Sequence, residues 1–170
     1  MRKVLVLGSG GAGKSTFARR LGEALNIEVV HLDSFYWRPG WIEPPREEWD
    51  ELVESLLTRE SWVMDGNFGG TLELRAEACD TIVFLDRSRW LCLWRVIKRR
   101  LQYRNNVRPD MAPGCNEKID LEFLLWVLLY PEQTRPKVEA VIERFGPGRR
   151  IYRLQTEQQV EDFFDTLCFD

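Results

Sequence analysis

Gly8-Ser9-Gly10-Gly11-Ala12-Gly13-Lys14-Ser15 is the stretch on which the fold turns. It has the phosphate-loop spacing G-x-x-x-x-G-K-[ST]. Upstream, Lys3-Val4-Leu5-Val6-Leu7 reads as a short buried strand. Downstream, Ser15 to Leu25 sets Phe17, Leu21 and Leu25 on one helical face. A tight glycine turn between a strand and a helix aims successive backbone N–H groups inward at the positive end of the helix dipole, forming an anion nest. A lysine at position 14 reaches β- and γ-phosphates, and the Ser15 hydroxyl belongs to a Mg²⁺ shell. The expectation is an ATP site with Mg²⁺, held by Gly8, Ser9, Gly10, Gly11, Ala12, Gly13, Lys14, Ser15 and Thr16.

Outward from this loop, strands and helices alternate. Strand candidates are 2–7, 27–32, 61–65, 80–85 and 150–154, each a continuous apolar run of the kind a sheet buried on both faces requires. Helix candidates are 14–25, about 45–59, 88–103, 119–145 with a break, and 157–167. Pro45 suits a first helical turn, with Glu47 and Glu48 favouring the same end. Pro131 and Pro136 are expected to break or kink the long C-terminal helical stretch. Thr156 with Gln159 three residues later has the form of a capping box. This order predicts a three-layer α/β fold, with ligands at the carboxyl ends of the strands. The 170 residues suffice for one domain, 1–170, with an excursion over about 100–135.

Composition excludes several classes. The net charge of −3 gives the chain no overall attraction for nucleic acid. No apolar run approaches the roughly 20 residues of a membrane span. Cys79, Cys92, Cys115 and Cys168 are scattered without a C-x-x-C pair or a histidine cluster, so reduced thiols in a cytoplasmic protein are expected rather than zinc. The seven tryptophans read chiefly as core and packing residues.

Three carboxylates end predicted strands: Asp33, Asp65 and Asp86. Asp33 fits a group acting on a phosphoryl acceptor, or a turn and cap residue. Asp65 and Asp86 both fit a magnesium-associated carboxylate, and the sequence barely separates them. Lone His31 reads as packed or hydrogen-bonded. Arg38 and Arg75 are candidate acceptor-site residues. From Arg87 to Arg108 there are eight basic residues and no acidic one, including Arg95, Arg99 and Arg104. A solvated helix face, a nucleic-acid footprint and a phosphate-clamping lid all fit this run, and the phosphate loop favours the lid.

These strings carry a resemblance across essentially the whole chain. His31-Leu32-Asp33, Trp37-Arg38-Pro39-Gly40-Trp41, Asp65-Gly66-Asn67, Arg75-Ala76-Glu77, Trp90-Leu91-Cys92-Leu93-Trp94-Arg95, Arg108-Pro109-Asp110-Met111-Ala112 and Thr134-Arg135-Pro136-Lys137 join the loop itself. With them the chain resembles the adenylate-kinase-like branch of phosphate-loop kinases. It is more closely similar to the small topology modulation, or FlaR-like, proteins. The resemblance implies a five-stranded parallel sheet in the order 2-3-1-4-5, with an Arg-rich helical lid entered through Arg95 and Arg99. It implies a returning segment at Tyr130, Thr134 and Pro136. The chain departs from the kinase pattern where Leu124 replaces a second arginine pair, a role that passes to Arg135. The nucleotide-monophosphate pocket of adenylate kinase is not recognisable.

The function these readings predict is transfer of the ATP γ-phosphoryl group to a small molecule, a nucleotide, nucleoside or metabolite. Lys14, Asp33, Arg95, Arg99 and Arg135 are the catalytic set, Ser15 and Asp65 the metal set, and Asp33, Arg38 and Arg75 the acceptor set. The expected partner is a small-molecule acceptor, without direct nucleic-acid or membrane contact. The rival is a nucleotide-dependent regulatory ATPase associated with DNA topology, with no small-molecule acceptor.

Overall fold

The computed structural model describes residues 1–103, 111–115 and 121–167. Strands β1 (Lys3–Gly8), β2 (Val29–His31), β3 (Trp62–Asp65), β4 (Thr81–Leu85) and β5 (Arg150–Leu154) form one parallel sheet in the order β2-β3-β1-β4-β5. Helices α1 (Lys14–Leu25), α2 (Leu32–Tyr36), α3 (Arg46–Leu57), α4 (Leu72–Ala78), α5 (Arg89–Gln102), α6 (Leu121–Gln133), α7 (Arg135–Phe145) and α8 (Glu157–Leu167) surround it.

Alternation along the buried strands divides the core in two. Leu5 and Leu7 join Met64, Ile82 and Phe84 on one face, under Trp49 and Val53 of α3, Ala76 of α4 and Val138 of α7. Val4 and Val6 point the other way, toward Phe17 and Leu21 of α1, Cys92 and Val96 of α5 and Phe163 of α8. Burial on both faces explains why these strands read as unbroken apolar runs.

The structure departs from the sequence expectation at β2 and at helices α2 and α4. Strand β2 is shorter than 27–32 because Leu32 already opens α2. Helices α2 and α4 were not expected; at five and seven residues they are too short to establish a 3.6-residue period. The long C-terminal helix breaks at Thr134, with Pro136 in the first turn of α7, while α6 runs through Pro131 and ends at Gln133. Helix α6 falls within the expected excursion over about 100–135. Val127 and Tyr130 of α6 are buried in the two cores, so this helix belongs to the body of the domain. Residues 104–110 and 116–120, with Arg104 and Arg108, lie outside the described residues, as does Cys168.

The capping box at α8 forms as its spacing indicates. The Gln159 amide donates to Thr156 Oγ1 at 3.2 Å, and the Thr156 amide donates to Gln159 Oε1 at 3.2 Å. Thr156→Ala is expected to cost about 1 kcal/mol, read as a lower urea midpoint with an unchanged m-value.

Candidate active site

The sheet order brings the glycine loop, the predicted site residue Asp65 and His31 to one edge. Strand β1 ends at Gly8, where the loop begins. Val6 is in register with Asp65 of β3, and Asp65 with His31 of β2. Residues in register on parallel strands share a face, and here His31 Nδ1 and Asp65 Oδ1 meet at 2.7 Å. His31 was legible only as a packed or hydrogen-bonded residue. Its partner depends on β2 lying next to β3, which sequence spacing does not specify.

The loop closes on itself through the Ala12 amide donating to Ser9 O at 3.1 Å, and α1 opens with the Phe17 amide donating to Gly13 O at 2.9 Å. The Lys14, Ser15 and Thr16 amides precede that first intrahelical bond, so the helix supplies them no carbonyl acceptor. Gly11 and Gly13 have φ of +78° and +96°. A Cβ on Gly11 would also collide with the Cys92 carbonyl of α5. Gly11→Ala is therefore expected to lower nucleotide affinity at least tenfold and to destabilise the fold by about 1–3 kcal/mol. Calorimetric titration and thermal melting measure the two effects. Asn67 anchors the start of the loop from across the sheet: its Nδ2 donates to Gly8 O at 2.8 Å, and Gly8 N donates to its Oδ1 at 3.3 Å. The sequence string Asp65-Gly66-Asn67 contained this residue but assigned it no task.

Lys14 is the electrostatic centre. Its Nζ donates to Ser9 O at 3.0 Å, and burial pushes its pKa down from the ordinary lysine value. Asp65 and Asp33 oppose that shift, while Arg99 reinforces it. Arg95 also reaches the loop, since a Cβ built on Gly13 would lie 3.5 Å from its Nη1. A half-buried ammonium beside a helix N-terminus, with two guanidiniums nearby, fits a polyanion such as a triphosphate. Among the described residues, no three His, Cys, Asp or Glu side chains form a metal-binding group. Mg²⁺ in such a site takes its remaining ligands from phosphate oxygens and water.

The basic run looks less uniform in three dimensions than in sequence. Arg87 and Arg95 both bind Glu157 of α8, at 3.0 and 3.2 Å, while Arg89 binds Glu132 and the Leu128 carbonyl of α6. Acids from distant segments thus offset charge that appeared uncompensated along the chain.

Arg75, expected as an acceptor contact, is fully buried, and burial pushes its pKa down to about 9. It donates to the carbonyls of Gly66, Asn67, Phe68 and Thr71, holding together the turn that follows β3. Asp86, one of the two candidate magnesium carboxylates, is held by Arg153 at 2.8 Å and by Arg135 at 3.4 Å. Arg135 also binds Glu139 at 3.1 Å, so two carboxylates engage its guanidinium. Arg38 is half-exposed and paired with Glu48, on a turn whose Gly40 amide donates to Gly114 O at 3.2 Å.

A glycine loop between the first strand and first helix of a 2-3-1-4-5 parallel sheet defines a P-loop kinase fold. The solved structures this chain is similar to have that fold. Shikimate kinase from Acinetobacter baumannii in complex with shikimate aligns with a TM-score of 0.62 at 18% identity, covering 99% of this chain and 91% of that one. Shikimate kinase from Bacteroides thetaiotaomicron aligns with a TM-score of 0.53 at 20% identity, over 96% and 94%. Deoxyadenosine kinase from M. mycoides with bound dATP aligns with a TM-score of 0.50 at 13% identity, over 97% and 98%. No protein-family model and no curated protein matches the chain. Among the described residues, no helix is long and apolar enough to cross a membrane.

Proposed function

We propose that this protein is an ATP-dependent kinase of a small molecule, from the FlaR-like branch its sequence resembles. The observation that carries this reading is Lys14: half-buried in the glycine loop, it donates to Ser9 O at 3.0 Å and feels the carboxylates of Asp33 and Asp65 and the guanidinium of Arg99. The similar structures are named as kinases of small molecules, which supports the same reaction class.

In this reading the amides from Gly10 to Thr16 bind the phosphate chain, and Lys14 leaves the Ser9 carbonyl to neutralise charge gathering on the transferring group. Ser15 and, through water, Asp65 would hold Mg²⁺, which would supply charge neutralisation for the phosphates. Asp65 suits that task better than Asp86, which two arginines already occupy. His31 orients the Asp65 carboxylate through its 2.7 Å bond. Asp33 aligns the acceptor hydroxyl, and Arg38 is retained as an acceptor contact. Arg95 and Arg99 clamp the transferring phosphoryl group, and Arg135 joins them on leaving Asp86.

The test is an ADP-release screen over nucleosides, nucleotides and hydroxylated metabolites, with mass spectrometry of the acceptor. ADP together with an acceptor heavier by one phosphoryl group is the expected result. ADP release indifferent to every acceptor would instead support the regulatory ATPase.

A further inference from the structure

The outer faces of α5 and α6 are apolar where a solvated helix would be polar. On α5, Trp90, Trp94, Ile97 and Leu101 recur at helical spacing and are exposed, Trp90 by 68% and Leu101 by 72%. On α6, Leu121, Leu125 and Leu129 make a second exposed ridge. The two helices pack against each other, and Arg89 in the first turn of α5 reaches Leu128 and Glu132 near the end of α6. They therefore run antiparallel. Trp90 lies at the Leu129 end and Leu101 at the Leu121 end.

Scaled from the 150–250 Å² that an aromatic side chain buries, the seven side chains expose on the order of 800 Å² of apolar surface. The largest such patch on a typical monomer is about 300–600 Å². A stable protein interface takes about 800 Å² from each partner. This patch therefore has the size of one half of a dimer interface.

We infer that this face pairs with the same face of a second copy of the chain, in a two-fold symmetric homodimer. Charge sets the arrangement. Helix α5 carries Arg89, Arg95, Lys98, Arg99 and Arg100 and no acid, whereas α6 carries Glu122 and Glu132 and no base. Placing α5 on α5 of the second copy sets cations against cations. Placing α5 on α6 of the second copy sets Trp94 against Leu125 and Lys98 near Glu122. The two-fold axis makes that contact twice, as a self-complementary interface requires. The acids of α6 also disfavour an anionic lipid surface as the occupant. The inference stands apart from the kinase reading and has its own readout.

Light scattering after size exclusion tests it on the full chain at micromolar concentration. The expected mass is twice the 20.1 kDa of one chain. Trp94→Glu and Leu125→Glu, each at an exposed site, are expected to give the single-chain mass with an unchanged circular dichroism spectrum. Glu122→Lys is expected to weaken association at least tenfold, and Lys98→Glu in the same chain to restore it. A wild-type protein of single-chain mass overturns the inference, as does a dimer indifferent to all these variants. So does a monomer that floats with vesicles of anionic phospholipid.

Discussion

Replacing Lys14 by alanine is expected to lower turnover by about 10²–10³-fold or more, the loss found when one preorganised electrostatic donor is taken from a transferring group. The side chain donates a hydrogen bond to Ser9 O at 3.0 Å, and burial disfavours its charge. Its removal should therefore leave the fold intact. Lys14→Ala should melt within a few degrees of wild type while ADP release collapses. Lys14→Met separates charge from packing, because it fills the same space without the ammonium. A Lys14→Ala enzyme turning over at near-wild-type rate would falsify the assignment of the loop as the phosphoryl-transfer site.

The largest expected effect on stability lies elsewhere, at Arg75. Its guanidinium is fully buried and bonds four carbonyls, at 2.7–3.2 Å, in the turn between β3 and α4. Arg75→Ala leaves those carbonyls without their charged donor and opens a cavity beneath α4. Hydrogen bonds to charged groups contribute about 1.5–3 kcal/mol each, but they share one side chain, so a total loss of about 3–5 kcal/mol is expected. For a chain of this length that corresponds to a fall in Tm of roughly 10 °C. Arg38→Ala is the control, because its exposed pair with Glu48 is worth at most about 1 kcal/mol. Equal melting of the two variants would show that the Arg75 cluster does not hold the turn. Since Gly66 and Asn67 follow Asp65 directly, loosening this turn should also weaken the Asn67 bonds to Gly8. Nucleotide affinity should then fall in Arg75→Ala even though the side chain touches no ligand.

The legible part of this protein is local in origin. The loop from Gly8 to Ser15, the apolar strands and the Thr156–Gln159 cap each depend on residues within a few positions of one another. The same period and spacing rules that describe them in sequence therefore govern them in the structure. Arg95 and Arg99, a pair the resemblance implies, lie four residues apart on α5, and the helical period brings such a pair to one side. Burial by distant residues is not legible in this way. Arg75, read as an acceptor contact, has the same appearance in sequence whether solvent or four carbonyls surround it. Helix α4, which carries it inward, is two turns long and gives no period to read.

Sequence by itself determined the strand–loop–helix unit around Gly8 to Ser15, because a glycine turn and a helix N-terminus form from contiguous residues. Tertiary structure alone decided which distant groups meet that unit. It turned the β2–β3 adjacency that the resemblance implies into a contact of His31 with Asp65; it gave Asp86 to Arg135 and Arg153; and it brought Glu157 to Arg87 and Arg95. It also turned the tryptophans of α5 outward rather than into the core. Each of these outcomes depends on strand order and helix packing, which are set by burial over the whole chain rather than by spacing along it.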